Sequence, residues 1–203
     1  DVCSSDLEDI EKLSWLDQKT LHLITPSGSI RSTKDFEQQL VENVSRANQF
    51  NPEQPLILWI SMHGITCVED QDQCQELYLI TPYATLDRES GWIGLGSVLE
   101  VLKERVGNRQ VLLVLDCQKM EVNWDIGLLD NQVSEVFNKS SWQLPHNVAI
   151  FLAAGQYQRA HVSPDLRGSI FAHYFRQGLA GAADQSHGKG QSGGWVSLLE
   201  LED

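Results

Sequence analysis

Two stretches of the chain decide its fold: residues 55–64 read PLILWISMHG, and residues 111–117 read VLLVLDC. Each contains a near-continuous apolar run of strand length, and the first run is bounded by Pro52 and Gly64. A third run of the same kind, NVAIFLAA, covers residues 147–154. Such runs are typical of strands buried on both faces, as in a parallel sheet covered by helices. The sequence therefore predicts three buried strands.

Helix-like segments alternate with these strands. Ser32 and Asp35 form a predicted capping box, and the apolar residues Phe36, Leu40 and Val44 follow on one helical face. This alternation predicts an α/β fold, a three-layer α/β/α sandwich with a mostly parallel central sheet. The other predicted elements are helices over Asp6–Leu16, Val98–Val106 and Ser169–Leu179, short strands over Thr20–Thr25 and Leu77–Thr81, and a Gly/Ser-rich loop over residues 183–194.

Composition and charge limit the classes of function. A chain of 203 residues with 41% hydrophobic residues can bury one sizeable core. The net charge of −13 argues against binding to nucleic acid or to an anionic membrane, because both would repel this surface. The longest apolar runs have the length of strands, so no transmembrane helix is expected. Four cysteines are too few for a disulfide scaffold, which indicates a reducing compartment, the cytoplasm.

Both ends of the sequence predict a fragment of a longer multidomain protein. The chain begins at Asp1 without a methionine or signal peptide, and it stops inside a helix-like pattern over residues 196–201. We therefore expect other domains of the same longer chain to be among its partners.

Two reactive residues directly follow the predicted buried strands. His63 directly follows the run PLILWISM. Cys117 follows the run VLLVL, with only Asp116 between them. If the two strands are parallel neighbours, both side chains emerge at the same edge of the sheet, where we expect a groove open to water. A cysteine beside a histidine is an arrangement for nucleophilic catalysis. The alternative is that Cys117 is a small buried apolar residue and His63 an ordinary loop residue.

These motifs resemble a known family. Residues 61–64, Ser-Met-His-Gly, resemble the [ST]-x-His-Gly motif of caspases, metacaspases and paracaspases, and residues 111–119 (VLLVLDCQK) resemble the strand that delivers their nucleophile. Three further segments are similar to segments of that family, so the resemblance covers nearly all of the chain. They are residues 31–40 (RSTKDFEQQL), 149–160 (AIFLAAGQYQRA) and 169–184 (SIFAHYFRQGLAGAAD).

The resemblance implies a single caspase-like domain over residues 1–203, with a large-subunit-like part (1–142) and a small-subunit-like part (143–203). It implies a cysteine endopeptidase that acts on protein or peptide substrates without a cofactor. Cys117 would be the nucleophile and His63 the proton shuttle. The backbone amides of Gly64 and Cys117 would form the oxyanion hole, whose donors act on charge that develops in the transition state.

The sequence departs from the family around the cysteine. Metacaspases have one residue between the aspartate and the cysteine, whereas Asp116 and Cys117 are adjacent here. A shift of one residue would put Gln118 in the nucleophile position, and the chain would then be a catalytically inactive caspase-like scaffold. The caspase-like class attached to tetratricopeptide repeats also fits the motifs, and so does an unrelated receiver-like or nucleotide-binding α/β protein. The lack of a Gly-rich phosphate loop after a strand counts against the last of these.

The residues expected to bind substrate are Leu115, Asp116 and Arg159. Relatives that cleave after Arg or Lys have a carboxylate two residues before the cysteine, where this chain has Leu115, and Asp116 should point to the opposite face. Arg159 stands where paracaspases have a glutamate and would favour an acidic substrate residue. Alternatively, Arg159 is solvated or pairs with Asp165. The net charge favours basic substrates instead, and we expect an acidic or small P1 residue.

Two segments have no assigned role. The acidic loop over residues 67–76 (CVEDQDQCQE) is a solvated hairpin tip or a weak calcium site, although it lacks the EF-hand spacing. Cys67 and Cys74 in this loop are surface thiols, a disulfide or half of a metal site, and no second ligand pair completes a zinc site. The insertion over residues 120–142 is too apolar for full exposure, so it covers the active site, meets a partner domain or packs on the flank of the sheet.

Overall fold

The computed structural model describes residues 30, 32–50, 54–68, 75–88, 90–117, 121–123, 127–129, 133–139, 144–155, 158–166, 168–185, 196 and 201. The chain forms two compact units, one of Asp1–Leu23 with His161–Asp203 and one of Ile24–Ala160. The predicted helix over residues 6–16, the strand over residues 20–25 and positions 186–194 of the predicted loop lie outside the described residues.

The larger unit contains three of the described helices and most of the strands. Its elements in chain order are α1 (Thr33–Phe50), β1 (Leu56–Ile60), β2 (His63–Val68), β3 (Gln75–Ile80), β4 (Trp92–Gly94), α2 (Leu95–Arg105), β5 (Val111–Leu115), β6 (Glu121–Asn123), β7 (Gly127–Leu129), α3 (Val133–Lys139) and β8 (Val148–Leu152).

The three predicted buried strands form one parallel sheet in the order β1-β5-β8. Leu56 of β1 pairs with Val111 of β5, and Val111 pairs with Val148 of β8. All five residues of the central strand β5 are buried, as predicted. β1 is more exposed than predicted, with Ile57 at 47%, because β1 lies at the edge of this sheet among the described strands.

One face of this sheet packs against helices α1 and α2. Alternate residues of each strand lie on this face, and they belong to one apolar cluster with residues of the two helices. From the sheet this cluster contains Leu56, Leu58, Ile60, Val111, Leu113, Leu115, Val148, Ile150 and Leu152, and from the helices Phe36, Leu40, Val44, Val98, Leu99 and Leu102. Val114 of β5 faces the other side and is also buried.

Helix α1 begins at the predicted capping box. The Asp35 amide donates to Ser32 Oγ at 3.1 Å, and the Ser32 amide donates to Asp35 Oδ2 at 3.1 Å. Each bond satisfies an amide that the start of a helix leaves without an intrahelical partner. Phe36, Leu40 and Val44 are buried on one face, as the periodicity predicted.

The sequence predicted only part of a second sheet. Strands β2, β3 and β4 form an antiparallel sheet in that order, and only two residues separate the end of β1 from the start of β2. β3 was predicted, whereas the segment after His63 was not predicted as a strand. Because β2 begins at His63, the antiparallel sheet starts at the carboxyl edge of the parallel one.

The smaller unit holds the antiparallel pair β9 (Val162–Ser163) and β10 (Gly168–Ser169), followed by helix α4 (Ile170–Gln177). Ser169 caps α4 and accepts a hydrogen bond from the Ala172 amide at 2.9 Å. Among the described residues, no helix combines the length and the apolar character needed to cross a membrane. The described chain is thus mixed α/β, with one parallel sheet of three strands and antiparallel sheets of two or three strands.

Candidate functional site at the carboxyl edge of the parallel sheet

Strands β1 and β5 end side by side, which brings the residues after them to one edge. Ile60 pairs with Leu115 at the ends of the two strands, and the Asp116 amide donates to the Ile60 carbonyl at 2.9 Å. On the other side of β5, the Ala153 amide donates to the Leu115 carbonyl at 3.1 Å. The prediction that these two strands are parallel neighbours is therefore confirmed.

The backbone at Gly64 lies directly against Cys117. The Gly64 amide donates to the Cys117 carbonyl oxygen at 2.7 Å. A Cβ added to Gly64 would lie 2.8 Å from that oxygen, 3.3 Å from Cys117 Cβ and 2.9 Å from Val133 Cγ2. Position 64 therefore requires a residue without a side chain, and the Gly64 backbone meets Cys117 at close range.

Cys117 is not exposed in this conformation. Its exposed fraction is 0%, and it belongs to the main apolar cluster together with Leu115 and Val133. Asp116 is also 0% exposed, and His63 is 7% exposed. The expectation of a groove open to water at Cys117 was wrong for this conformation, in which Cys117 is fully buried and belongs to the apolar cluster.

The His63 side chain occupies the first row of the antiparallel sheet. His63 pairs with Ile80, and Ile80 pairs with Trp92, so the three residues share one row across β2, β3 and β4. Residues paired in this way present their side chains on the same face, whereas the next residue, Gly64, faces the other side. Cys117 lies against Gly64, on the opposite face from the row that contains His63. Contact between the imidazole and the thiol therefore stays a prediction.

One of the two predicted oxyanion donors is engaged. The amide hydrogen of Gly64 points at the Cys117 carbonyl, so it can bind an oxyanion only after that hydrogen bond opens. Oxyanion-hole donors must be aimed at the developing charge before reaction. The described conformation is therefore closed at both the thiol and this amide.

The start of helix α3 completes the enclosure. Val133, Ser134 and Val136 are buried, and α3 packs against β2 and β3. Ser134 Oγ donates to the Ala154 carbonyl at 2.6 Å, just beyond the end of β8. The sequence predicted three alternative roles for the insertion over residues 120–142, which contains these residues. One of them was covering the active site, but the pattern did not single out Val133 or Ser134. The apolar spacing of Val133, Val136 and Phe137 is helical and was the available signal.

The three predicted substrate-binding residues lie in different environments. Leu115 is buried in the core on the face shared with Leu113, so its side chain packs in the core and does not line an open pocket. Asp116, the next residue, is buried at the strand end, while Arg159 is exposed in the segment after β8. A role for Arg159 or Asp116 in substrate binding stays a prediction.

The described residues contain no group of three or more His, Cys, Asp or Glu side chains that could hold a metal ion. Residues 69–74 of the acidic loop lie outside the described part of the chain, and β2 and β3 flank them as an antiparallel pair.

A comparison with protein-family models matches none of them to this chain, and comparisons with curated proteins and with solved structures give no significant match. The resemblance to caspases therefore depends on the motifs of the sequence and on where the fold puts them.

Proposed function

We propose that the chain is a cysteine endopeptidase of the caspase-like type, with Cys117 as nucleophile and His63 as proton shuttle. The observation that carries this proposal is the contact between Gly64 and Cys117, with the Gly64 amide 2.7 Å from the Cys117 carbonyl oxygen. It supports the proposal because the glycine of the His-Gly pair contacts the cysteine at the carboxyl ends of adjacent parallel strands. Ligands of α/β sheets bind at this edge. The finer fold assignment, a three-layer caspase-like sandwich, belongs to the same proposal.

The proposed reaction is acyl transfer to sulfur followed by hydrolysis. The Cys117 thiolate attacks the carbonyl carbon of the scissile peptide bond, and His63, in its protonated form, gives a proton to the departing amine nitrogen. Water then attacks the thioester with His63 as general base, which releases the acid and restores the thiol. The negative oxygen formed in each step needs amide donors, and Gly64 becomes one when it leaves the Cys117 carbonyl.

The reaction requires a more open conformation than the one described. A reacting carbonyl must approach sulfur to about 3–3.5 Å, and Cys117 has no exposed surface in this conformation. The proposal therefore includes a rearrangement that uncovers the thiol. Exposed Arg159 supports a preference for an acidic P1 residue, because a guanidinium binds a carboxylate through charge-assisted hydrogen bonds.

A second candidate is a caspase-like module without catalytic activity. The observation that favours it is the complete burial of Cys117 in the apolar cluster, which is the environment of a structural cysteine. In this case the chain serves as a binding module for protein partners or for other domains of a longer chain.

Peptide hydrolysis by matched variants separates the two candidates. The peptides carry Asp, Arg or Leu at P1, and the variants are Cys117→Ala, His63→Ala and, as a control at another cysteine, Cys67→Ala. A peptidase loses at least about a thousandfold of its kcat/KM in the first two variants and keeps it in the control. Equal rates in all variants, or no hydrolysis by the parent chain in any condition that exposes Cys117 to a thiol reagent, would overturn the peptidase proposal.

A further inference from the structure

The first turn of helix α3 occupies the space above Gly64 and Cys117. Val133 is 0% exposed and its Cγ2 atom lies 2.9 Å from where a Cβ of Gly64 would be. Cys117 Cβ lies 3.3 Å from the same point. Val133 therefore packs over the place where the His63-Gly64 backbone meets Cys117.

A hydrogen bond holds this turn to the third strand of the parallel sheet. Ser134 Oγ donates to the Ala154 carbonyl at 2.6 Å, and both Ser134 and Ala154 are buried. Ala154 follows β8, while Val133 lies over Gly64 at the start of β2. Val133 thus contacts the start of β2, and its neighbour Ser134 bonds to the residue after β8. Cys117 follows β5, the central strand between β1 and β8.

We propose that the first turn of α3 is an intramolecular cap that keeps substrate from Cys117, and that opening of this turn is the step that makes the site accessible. That the cap excludes substrate rests on the proposed function. Whether Val133 and Ser134 close off Cys117 can be tested without any hydrolysis. A peptide cannot reach Cys117 while the Val133 methyl groups fill the space beside Gly64.

The cap predicts that weakening its two contacts exposes Cys117 without unfolding the chain. Truncating Val133 removes two methyl groups from a packed site, and Ser134→Ala removes the hydrogen bond to Ala154. Both interactions are lost when the turn opens, so each substitution favours the open form. We expect an increase in the opening equilibrium of about tenfold to a hundredfold for Val133→Ala and of about fivefold for Ser134→Ala.

The test measures the rate at which iodoacetamide alkylates Cys117 in the native chain, with the site of alkylation mapped by mass spectrometry. The matched control is Val98→Ala, because Val98 is also a fully buried valine of the same apolar cluster. It lies on α2, which packs against α1, β3 and β4 instead of the edge that bears Cys117. The free energy of unfolding of every variant is measured in parallel by urea denaturation.

The cap is supported if Val133→Ala and Ser134→Ala raise the alkylation rate by the factors above while Val98→Ala changes it less than about twofold at a similar loss of stability. It is overturned if the rate follows global stability alone, so that Val98→Ala and Val133→Ala have the same effect. If Val133→Ala does not fold, the milder Ser134→Ala decides the question by the same criterion.

Hydrolysis of the peptide panel by the same variants keeps the two proposals apart. Faster alkylation together with a parallel rise in kcat/KM supports both the cap and the peptidase. Faster alkylation with no hydrolysis in any variant supports the cap and overturns the peptidase. Hydrolysis by the parent chain that neither substitution in α3 changes overturns the cap and leaves the peptidase standing.

Discussion

The two ends of the parallel sheet differ in what their polar side chains do. At the amino end, Asn147 Nδ2 donates to the carbonyls of Gly107 at 2.9 Å and Arg109 at 2.5 Å. Arg109 in turn donates to the Gln54 carbonyl at 2.6 Å and to Asn48 Oδ1 at 3.0 Å. Partial burial lowers the pKa of Arg109 from its usual value, and the guanidinium stays protonated at neutral pH. These side chains satisfy loop carbonyls and tie the loops to the sheet.

The carboxyl end gathers titratable groups in apolar surroundings. His63, Asp116 and Cys117 are all buried there, and Cys117 belongs to the main apolar cluster together with Val133. The comparison teaches that the polar side chains at the amino end tie loops to the sheet, whereas those at the carboxyl end are the groups to which the proposed function assigns chemistry.

The largest effect is expected for Gly64→Ala at the carboxyl end. The new Cβ would overlap the Cys117 carbonyl and Val133, so the free energy of unfolding should fall by about 3 kcal/mol. Chemical denaturation measures the loss. The control is Gly96→Ala in α2, where a Cβ meets nothing within 4 Å and should stabilise the helix by up to about 1 kcal/mol. Similar stabilities for the two variants would contradict the close packing at Gly64.

At the amino end, Asn147→Ala is expected to cost about 2 kcal/mol of stability because the two hydrogen bonds that the buried Asn147 side chain donates to loop carbonyls are lost. The same variant should leave the alkylation rate of Cys117 in its native state within about twofold of the parent. A selective acceleration of alkylation, beyond the loss of global stability, would show that the two ends of the sheet are not independent.

A smaller effect is expected away from both ends, at the start of α1. Ser32→Ala removes the acceptor of the Asp35 amide and should lower the free energy of unfolding by about 1 kcal/mol. Ser97→Ala, inside helix α2, is the matched control and should be neutral or slightly stabilising, because alanine favours a helix interior. A Ser32→Ala variant as stable as the parent would rule out a stabilising role for the capping box.

The smallest effect is expected on the surface of α2. Lys103 Nζ lies 3.9 Å from Glu100 Oε1, and both side chains are more than half exposed. Solvent screens such pairs, so Lys103→Ala should change the free energy of unfolding by less than about 0.5 kcal/mol. A loss larger than that of Ser32→Ala would contradict this ranking, in which enclosed contacts matter more than exposed charges.

The parts of this fold that follow local rules could be predicted from sequence. Strand β5 is apolar throughout and is buried throughout, and the capping box at Ser32 begins α1 as expected. Strand β2 was harder to predict because its first residues, His63 and Gly64, break the apolar pattern. In addition, only two residues separate it from the end of β1. The partial exposure of Ile57 depends on its place at a sheet edge, which no local pattern encodes.

The sequence predicted where His63 and Cys117 lie in the fold but not how accessible Cys117 is. Their catalytic roles stay a prediction. The apolar runs placed His63 and Cys117 at the ends of two strands, and the parallel pairing of β1 and β5 follows from that pattern. Val133 and Cys117 both lie against Gly64, and Val133, which is 16 residues further along the chain, reaches that place only through the packing of α3. Contacts of this kind are set by tertiary structure, so a single sequence does not encode them locally.

The hydrogen bond from the Gly64 amide to the Cys117 carbonyl makes deuterium exchange at Gly64 a spectroscopic probe of the closed site. While it holds, the Gly64 proton is shielded from solvent deuterium, and exchange at that single position proceeds only as fast as the two backbones separate. In a ¹⁵N-labelled sample, one glycine resonance would therefore report how readily the shut conformation opens before any substrate is known.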